Sequence, residues 1–266
     1  MPNEGTKSTV DEINITDPRD KVLTLVANSL PKIRSCLFTR EFENLTSLLV
    51  SHRSCITGVG KASLAAHKLA ATLASNGTPS IFAHSTELLH GDLGSVQVDD
   101  ILIAYSNSGK TDQILELSKK AKEIGITFAL ITGNKKGEIV ENAALVIDYG
   151  KIEEACSLNL TPTTSTIVQM IISDAIAMCV QAKRGLSYHD YSKFHGCGYL
   201  GHISRLKAQL DKGDPAGKAE REAIELRQEL DALRDAAKCV CAGVNWFGEP
   251  SKVSLEILRG LLMRGI

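Results

Sequence analysis

Residues 100–109 read Asp100-Ile-Leu-Ile-Ala-Tyr-Ser-Asn-Ser-Gly109, an apolar run that passes directly into a polar loop with a glycine. A short apolar run bounded by turn residues is typical of a strand that is buried on both faces. The amphipathic stretch that follows, residues 111–124, ends at Gly125, a common helix terminator. This part of the chain therefore predicts a strand, a polar loop and a helix, in that order.

The same alternation continues on both sides of this stretch. Four further apolar runs flanked by turn residues predict strands, at residues 55–57, 80–83, 128–132 and 144–147. Helices are predicted at 61–76 and 164–183, and a leading helical pair at 20–50 with a break near Cys36. Because apolar strands alternating with helices form covered parallel sheets, we predict an α/β fold: a three-layer, doubly wound, five-stranded parallel sheet with extra N- and C-terminal helices.

The chain divides into three predicted segments. Residues 1–19 are polar and are predicted to be a disordered tail, and residues 20–203 carry the sheet. Residues 204–266 are predicted to be a helical appendage, because an apolar stripe over 218–238 is typical of a helix that packs on another helix.

Composition excludes several classes of function. The chain has 266 residues, 43% hydrophobic and 23% charged, and a net charge of −1, so there is no electrostatic case for a nucleic acid or a membrane as partner. The most apolar stretch, 167–182, is interrupted by Gln169, Ser173 and Asp174 and predicts a buried helix. The seven cysteines lack metal-ligand spacing and, with a polar N-terminus, predict a cytoplasmic protein with reduced thiols.

Ligands of parallel sheets bind beyond the carboxyl ends of the strands, where the polar loops 58–61, 84–92 and 106–111 fall. In loop 106–111, three hydroxyl side chains, an amide and the N–H groups of a helix start would surround one point. A phosphate is the natural occupant, because its oxygens accept all these hydrogen bonds and favour the positive end of the helix. The alternative is a plain capping box, in which the hydroxyls serve only the helix.

The stretch Gly58-Val-Gly-Lys61 resembles two nucleotide-binding signatures and matches neither. The dinucleotide fingerprint needs a glycine where Ser63 stands and an acidic residue where His84 stands, and the Walker loop needs a hydroxyl residue in place of Ala62. Without these signatures, the stretch still predicts a tight strand-to-helix turn with a lysine beside it. The alternative is that the glycines serve close packing alone.

A second hydroxyl-rich helix start, 161–166, follows the stretch Glu153-Glu-Ala-Cys156. Three histidines, His84, His90 and His195, fall in predicted loops. Histidine, carboxylate and lysine together suit proton transfer beside a carbonyl, because histidine titrates near neutrality and lysine stabilises an oxyanion.

Several motifs in order resemble those of D-arabinose 5-phosphate isomerases, which are members of the sugar-isomerase (SIS) family. The match runs from about residue 20 to residue 201. Its motifs are Gly58-Val-Gly-Lys-Ala-Ser63, Ala74-Ser-Asn-Gly-Thr-Pro79, His90-Gly-Asp-Leu-Gly94, Ser106-Asn-Ser-Gly109, Ile131-Thr-Gly133, Glu154-Ala-Cys156, Leu160-Thr-Pro-Thr-Thr-Ser-Thr166 and Asp174-Ala175.

The resemblance implies a phosphosugar-binding domain over 20–203 and an aldose–ketose isomerase that works through an enediol, on the route to a lipopolysaccharide sugar. It implies no metal and no organic cofactor, and a homo-oligomer, dimer or tetramer, with sites near subunit interfaces. The implied catalytic residues are Lys61, Glu154 and His195. The expected substrate contacts are Gly60, Ser63, His84, His90, Ser106, Asn107, Ser108, Thr111, Thr163 and Ser165.

Three departures from the family pattern bear on activity. Two family glutamates are replaced by Lys110 and Gln113, and the second is normally a catalytic carboxylate. The family's H-P-G-G motif has become His195-Gly-Cys-Gly198, and segment 204–266 stands where paired CBS modules are common. Two alternatives therefore stay open: a phosphosugar-binding regulatory protein without turnover, and another SIS enzyme, such as a hexulose-phosphate isomerase or an amino-sugar-phosphate enzyme.

Overall fold

The computed structural model describes residues 17–210, and there the predicted order of strands and helices is confirmed. The five strands are β1 (Ser54–Gly58), β2 (Ser80–Phe82), β3 (Ile101–Ser106), β4 (Thr127–Thr132) and β5 (Leu145–Asp148). They form one all-parallel sheet in the order β2-β1-β3-β4-β5. The predicted α/β class and the five-stranded parallel sheet are therefore correct.

Helices connect and flank these strands. They are α1 (Pro18–Leu37), α2 (Arg40–Ser51), α3 (Lys61–Ser75), α4 (Ser85–Leu89), α5 (Asp112–Ile124), α6 (Thr164–Arg184), α7 (Tyr188–Phe194) and α8 (Gly198–Leu210). The predicted leading pair corresponds to α1 and α2, whose boundary lies at Phe38 and Thr39. The short helices α4 and α7 were not predicted, because five and seven residues are too few to show a helical period.

Two apolar cores cover the two faces of the sheet and make it a three-layer structure. Successive side chains of a strand point to opposite faces. In β3, Ile103 and Tyr105 belong to the core formed with α1, α2, α3 and α6, whereas Leu102 and Ala104 belong to the core formed with α4 and α5. The side chains of the apolar run in β3 are therefore buried on both faces of the sheet, alternate residues contributing to each core.

Helix α6 is, among the helices of residues 17–210, the one whose length and composition would allow it to cross a membrane. It packs along α3 instead, and its residues Val168, Ile172 and Ile176 are buried in the core. An ion pair between Lys68 and Asp174 links the two helices at their exposed side. The prediction of a buried helix at this position is confirmed.

The predicted segment boundaries can be compared with the structure at two points. Helix α1 begins at Pro18 with Asp17 as its N-cap, so the last two residues of the predicted tail 1–19 are helical. Residues 1–16 of that tail lie outside the described residues. The chain separates into two compact units, 1–196 and 197–266, and the predicted boundary at 203/204 falls within α8. The predicted helix at 218–238 lies outside the described residues.

Strand register decides where a ligand can bind. Gly58 of β1 pairs with Tyr105 of β3, Ser106 pairs with Thr132 of β4, and Thr132 pairs with Asp148 of β5. The carboxyl ends of four strands therefore meet at one edge of the sheet, and the polar loops that follow them lie side by side.

Candidate functional site

A cavity of about 200 Å³ opens at this edge, between the loops that follow β1 and β3 and the start of α6. Six of the residues predicted from the sequence line it: Lys61, Ser106, Asn107, Ser108, Thr111 and Ser165. They come from three segments that are far apart in sequence, and the parallel sheet brings them together.

The hydroxyl groups of loop 106–111 do not cap the helix that follows the loop. Thr111 occupies the N-cap position of α5, yet no side chain caps the helix there. Its hydroxyl instead pairs with that of Ser106, at 2.8 Å between the two oxygens. The capping-box alternative is therefore wrong, and the first N–H groups of α5 are left for an anion, as expected at a phosphate site.

The neighbouring turn after β4 fixes the position of this loop. Asn134 Nδ2 donates to the Ser108 carbonyl at 2.9 Å, and the Gly133 N–H donates to the Asn107 carbonyl at 3.2 Å. Gly109 has a φ of +65°, and a Cβ there would lie 2.8 Å from the Asn134 carbonyl oxygen. Only glycine combines that dihedral with such a close approach, so the glycine of the motif is required by the turn.

A chain of side-chain hydrogen bonds orients the amide of Asn107. Gln169 Nε2 donates to the Tyr149 hydroxyl at 2.9 Å, and that hydroxyl donates to Asn107 Oδ1 at 2.9 Å. Burial raises the pKa of Tyr149, so the phenol keeps its proton and remains a donor. With Oδ1 thus occupied, the Asn107 amide has its NH₂ group left to donate to a ligand in the cavity.

The turn between β1 and α3 explains both glycines and places the lysine. A Cβ on Gly58 would lie 3.0 Å from backbone atoms of Ala62 and Ser63, so Gly58 serves close packing. Gly60 has φ +60° and ψ −131°, a conformation available to glycine, and open space faces it. Lys61 begins α3 and lines the cavity. The Ser63 hydroxyl donates to the Gly60 carbonyl at 2.6 Å and stays within the turn.

Glu154 lies at a second, adjoining cavity of about 540 Å³, which shares Asn107, Ser108 and Pro162 with the first. Its side chain is buried, and Oε2 accepts three hydrogen bonds: from the N–H of Thr163 at 2.8 Å, the hydroxyl of Thr163 at 3.1 Å and the N–H of Ser165 at 3.2 Å. Oε1 has no hydrogen-bond partner within residues 17–210. One carboxylate oxygen therefore caps α6, and the other has no partner among the described residues.

The remaining predicted contacts lie outside the two cavities. The Thr163 hydroxyl is shared between Glu154, to which it donates, and the Ala155 N–H, from which it accepts at 2.9 Å. His84 and His90 flank the short helix α4, on the chain that follows the edge strand β2, and both are exposed. Thr163 thus supports Glu154, and the roles of Gly60, Ser63, His84 and His90 toward a ligand remain predictions.

His195 lies far from the cavity of its own chain. The ring of Phe194, the residue before it, packs against Gly77, just past the C-terminal end of α3. Lys61 is the first residue of that 15-residue helix, which is about 22 Å long at about 1.5 Å per residue. The His195 ring stacks on Tyr191, and its Nδ1 pairs with the Tyr191 carbonyl at 2.9 Å. Lys61 and Glu154 are therefore brought to adjoining cavities, and His195 is not.

Sequence reasoning missed Gln169 and Tyr149. Gln169 lines the first cavity and is 1% exposed, and Tyr149 is equally buried. The available signal was Gln169 itself, a polar interruption in the apolar face of α6, where a buried amide needs partners. Within residues 17–210, no group of three or more His, Cys, Asp or Glu side chains is placed to hold a metal ion.

Comparisons with known proteins agree with the geometry. Residues 47–179 match the model of the SIS domain family. The chain is 41% identical over 157 residues to the arabinose 5-phosphate isomerase KdsD of Pseudomonas aeruginosa, covering 59% of this chain and 48% of that protein. It is 36% identical over 213 residues to the arabinose 5-phosphate isomerase KpsF of Escherichia coli, covering 79% of this chain and 65% of the relative.

Among solved structures, the E. coli CFT073 protein c3406 in complex with arabinose 5-phosphate superposes with a TM-score of 0.60. It is 33% identical, and the match covers 68% of this chain and 99% of that one. The chain spans about half to two thirds of the length of the curated relatives named above. The resemblance seen in the motifs is confirmed, and the chain belongs to the SIS domain family.

Proposed function

We propose that this protein is an aldose–ketose isomerase that interconverts D-arabinose 5-phosphate and D-ribulose 5-phosphate. The observation that carries the proposal is the cavity in which Lys61 faces the hydroxyl loop 106–108, with Glu154 at the adjoining cavity. Relatives that are 36–41% identical to this chain are named arabinose 5-phosphate isomerases, and a solved relative holds arabinose 5-phosphate.

The phosphate of the substrate binds to loop 106–111. The Ser108 hydroxyl, the Asn107 amide and the uncapped N–H groups of α5 supply donors, and the positive end of the helix favours the dianion. Fixing the phosphate orients the rest of the sugar along the wall that contains Pro162, which both cavities share. Binding at one end thus places the carbonyl end near Glu154.

Isomerisation then needs one proton moved between two carbons. Glu154 Oε1 takes the proton from C2 of the open-chain aldose, and C1 oxygen gains a proton as the enediol forms. Return of a proton to C1, with loss of the proton from the C2 hydroxyl, gives the ketose. C1 is reduced as C2 is oxidised, so no external oxidant is needed. Lys61 stabilises the negative charge on oxygen along this path.

His195 enters the site from a second copy of the chain. Within one chain it lies near the end of α3 opposite to Lys61, about a helix length away. A homo-oligomer in which α7 of one copy approaches the cavity of another would supply the histidine for ring opening or proton transfer.

We also propose a cytoplasmic location, since the five cysteines within residues 17–210 are free thiols, in keeping with a reducing compartment.

The test incubates the purified protein with D-arabinose 5-phosphate and measures formation of D-ribulose 5-phosphate. Lys61→Ala and Glu154→Gln should each reduce kcat at least about 100-fold, in the range typical of a lost acid–base or electrostatic group. The amide of Glu154→Gln still offers an oxygen to the α6 N–H groups, so the fold is retained. Lys119→Ala, on the exposed side of α5, is the matched lysine control. Turnover that survives in Glu154→Gln would remove Glu154 as the base.

A second function is favoured by two features of this site. Gln113 replaces a family carboxylate, and one oxygen of Glu154 is engaged by three donors, so a sugar phosphate could be bound without being converted. Thermal stabilisation by D-arabinose 5-phosphate, with no ketose formed over hours, would assign the chain as a phosphosugar-binding regulatory protein.

A further inference from the structure

The side chain of Gln169 carries an acceptor atom that the fold leaves without a partner. Gln169 lies in α6, lines the first cavity and is 1% exposed. Its Nε2 donates to the Tyr149 hydroxyl at 2.9 Å, whereas Oε1 accepts no hydrogen bond within residues 17–210. In the same part of the chain, Oε1 is also not one of the polar atoms that are sealed from solvent without a partner. It therefore faces the cavity, where a ligand can supply the hydrogen bond that a buried amide oxygen needs.

The phosphate loop determines which end of the Gln169 amide faces the cavity. A phosphate on this loop needs the NH₂ group of Asn107, so Asn107 Oδ1 is turned to Tyr149 and accepts from it. The Tyr149 hydroxyl has one proton, which it donates to Asn107, and it therefore accepts from Gln169. Since Nε2 of Gln169 is used in this way, Oε1 is the end of the amide that remains for the ligand.

Gln169 Oε1 differs from other polar groups at this cavity because it can only accept a hydrogen bond. The ammonium of Lys61 and the NH₂ group of Asn107 only donate, and the hydroxyl of Thr166 does both. The ligand atom opposite Oε1 must therefore be a donor, as a sugar hydroxyl is and as an ether oxygen is not. Two hydrogen bonds of 2.9 Å connect the amides of Asn107 and Gln169 through Tyr149, so this donor lies close to the phosphate.

In a pentose 5-phosphate, the sugar oxygen next to the phosphate along the chain is O4, because C4 is bonded to the phosphate-bearing carbon. O4 carries a proton in the open-chain sugar. In the furanose it is the ring oxygen and has no proton to donate. We propose that Gln169 accepts a hydrogen bond from O4 and thereby binds the open-chain sugar in preference to the ring. The inference rests on the proposed function, because it takes the phosphate to lie on loop 106–111.

This preference bears directly on isomerisation, which needs the open-chain form because the ring has no free carbonyl next to C2. A hydrogen bond from O4 to Gln169 also occupies the group whose attack on C1 would close the ring again. A site shifts the equilibrium between two forms only by the difference in its affinity for them, so that difference is the quantity to measure. Gln169 is then a substrate contact that selects the reactive form, on which Lys61 and Glu154 act.

The test measures the binding of three phosphates that cannot isomerise, by isothermal titration. D-Arabinitol 5-phosphate is an open chain with the O4 hydroxyl, and its 4-deoxy analogue lacks that hydroxyl. In 1,4-anhydro-D-arabinitol 5-phosphate, O4 is held in a ring and carries no proton. The protein should bind the first about tenfold more tightly than either of the others, the effect of a hydrogen bond whose loss leaves a buried acceptor unpaired.

Gln169→Met removes Oε1 and keeps a side chain of similar length, and it should reduce both preferences to less than about twofold. It also removes the donor to Tyr149, which weakens phosphate binding for all three ligands alike, so the ratio of affinities reports the contact with O4. Gln181→Met is the matched control on the same helix. Gln181 does not line the cavity, and its Nε2 donates to Asn76 at 3.3 Å, so both preferences should be kept.

Equal affinity of the unmodified protein for D-arabinitol 5-phosphate and its 4-deoxy analogue would overturn the inference, even if Gln169→Met failed to fold. A preference that survives Gln169→Met, tighter binding of the ring analogue, or binding of none of the three would also overturn it. The turnover assay with D-arabinose 5-phosphate is run in parallel. Conversion without the preference removes the role of Gln169 and leaves the isomerase assignment standing, whereas the preference without conversion supports the contact in a binding protein.

Discussion

The Tyr149 hydroxyl donates to Asn107 Oδ1 at 2.9 Å, and this hydrogen bond occupies the oxygen of the amide and leaves its NH₂ group for the cavity that Asn107 lines. Tyr149→Phe removes the donor and leaves the amide free to present its oxygen to the phosphate. We expect KM for the sugar phosphate to rise about tenfold, with kcat changed less than about twofold, because the lost contact serves binding rather than proton transfer. Steady-state kinetics measure both constants.

A double-mutant cycle separates this role from a general loss of packing. In the Asn107→Ala background, Tyr149→Phe should have almost no further effect on KM, since there is no amide left to orient. If the double variant instead shows the product of the two single effects on KM, Tyr149 acts on the site independently of Asn107.

Gly133 keeps the space that this arrangement needs. A Cβ there would lie 2.6 Å from Asn107 Oδ1 and 2.9 Å from a ring carbon of Tyr149. Gly133→Ala should therefore displace both side chains, lower the free energy of unfolding by about 1–3 kcal/mol and raise KM. Gly94→Ala is the control, because nothing lies within 4 Å of a Cβ at that position. Denaturant unfolding and kinetics check the two effects, and a Gly133→Ala protein with unchanged KM would contradict the prediction.

The difference between what the sequence predicts and what it misses has a physical origin. The strands were predictable because each is a short apolar run ended by glycine or polar residues, as in β3 and the loop after it. The pairing of the Thr111 hydroxyl with Ser106 was not, because capping and ligand binding use the same residue types. The positions of Tyr149 and Gln169 depend on a contact between β5 and α6 that no local pattern encodes. His195 was expected at the site from its motif. The packing of Phe194 on Gly77 shows instead that His195 lies about one length of α3 away from Lys61.

Asp100 links the starts of two central strands. Arg53 donates to both of its carboxylate oxygens, at 2.9 and 2.5 Å, and the Gln97 N–H donates at 2.7 Å. The hydrogen bonds from Arg53 hold the pKa of Asp100 below its usual value. The stabilisation is therefore complete above about pH 4 and is lost as the pH falls through the lowered pKa.

Asp100→Asn should lower the free energy of unfolding by about 1–2 kcal/mol at pH 7, a reduced figure because Arg53 is partly exposed. The difference from the unmodified protein should shrink below about pH 4, where that protein also loses the charge. Urea unfolding from pH 3 to 7 measures both, with Asp99→Asn at the exposed neighbouring position as the control. A difference that stays constant with pH would show that the charge of Asp100 is not what stabilises the strands.

Cys156 should be the most reactive of the cysteines within residues 17–210 near neutral pH. The Thr161 hydroxyl and the N–H groups of Thr161 and Leu160 donate to its sulfur and lower its pKa to about 7. The thiolate fraction, and with it the rate of iodoacetamide labelling, should rise as the pH passes through 7 and level off above about 8. Mass spectrometry of the Cys156 peptide follows the rate, and Thr161→Val should move the midpoint upward.

Cys36 and Cys55 are the internal controls for this labelling, because burial raises the pKa of each to about 11. Labelling of these two at the rate of Cys156 would mean that the protein had unfolded under the conditions used.

The position of His195 gives a prediction that depends on assembly. If a second copy supplies this histidine, Lys61→Ala and His195→Ala should each lack turnover alone, because every site in either homo-oligomer lacks one of the two groups. After unfolding and refolding as a mixture, sites with both groups form between unlike subunits. A random mixture of dimers would recover about a quarter of the normal activity. Separately refolded and then mixed proteins are the control. Recovery near zero in the co-refolded sample would mean that His195 takes no part in the site of any copy.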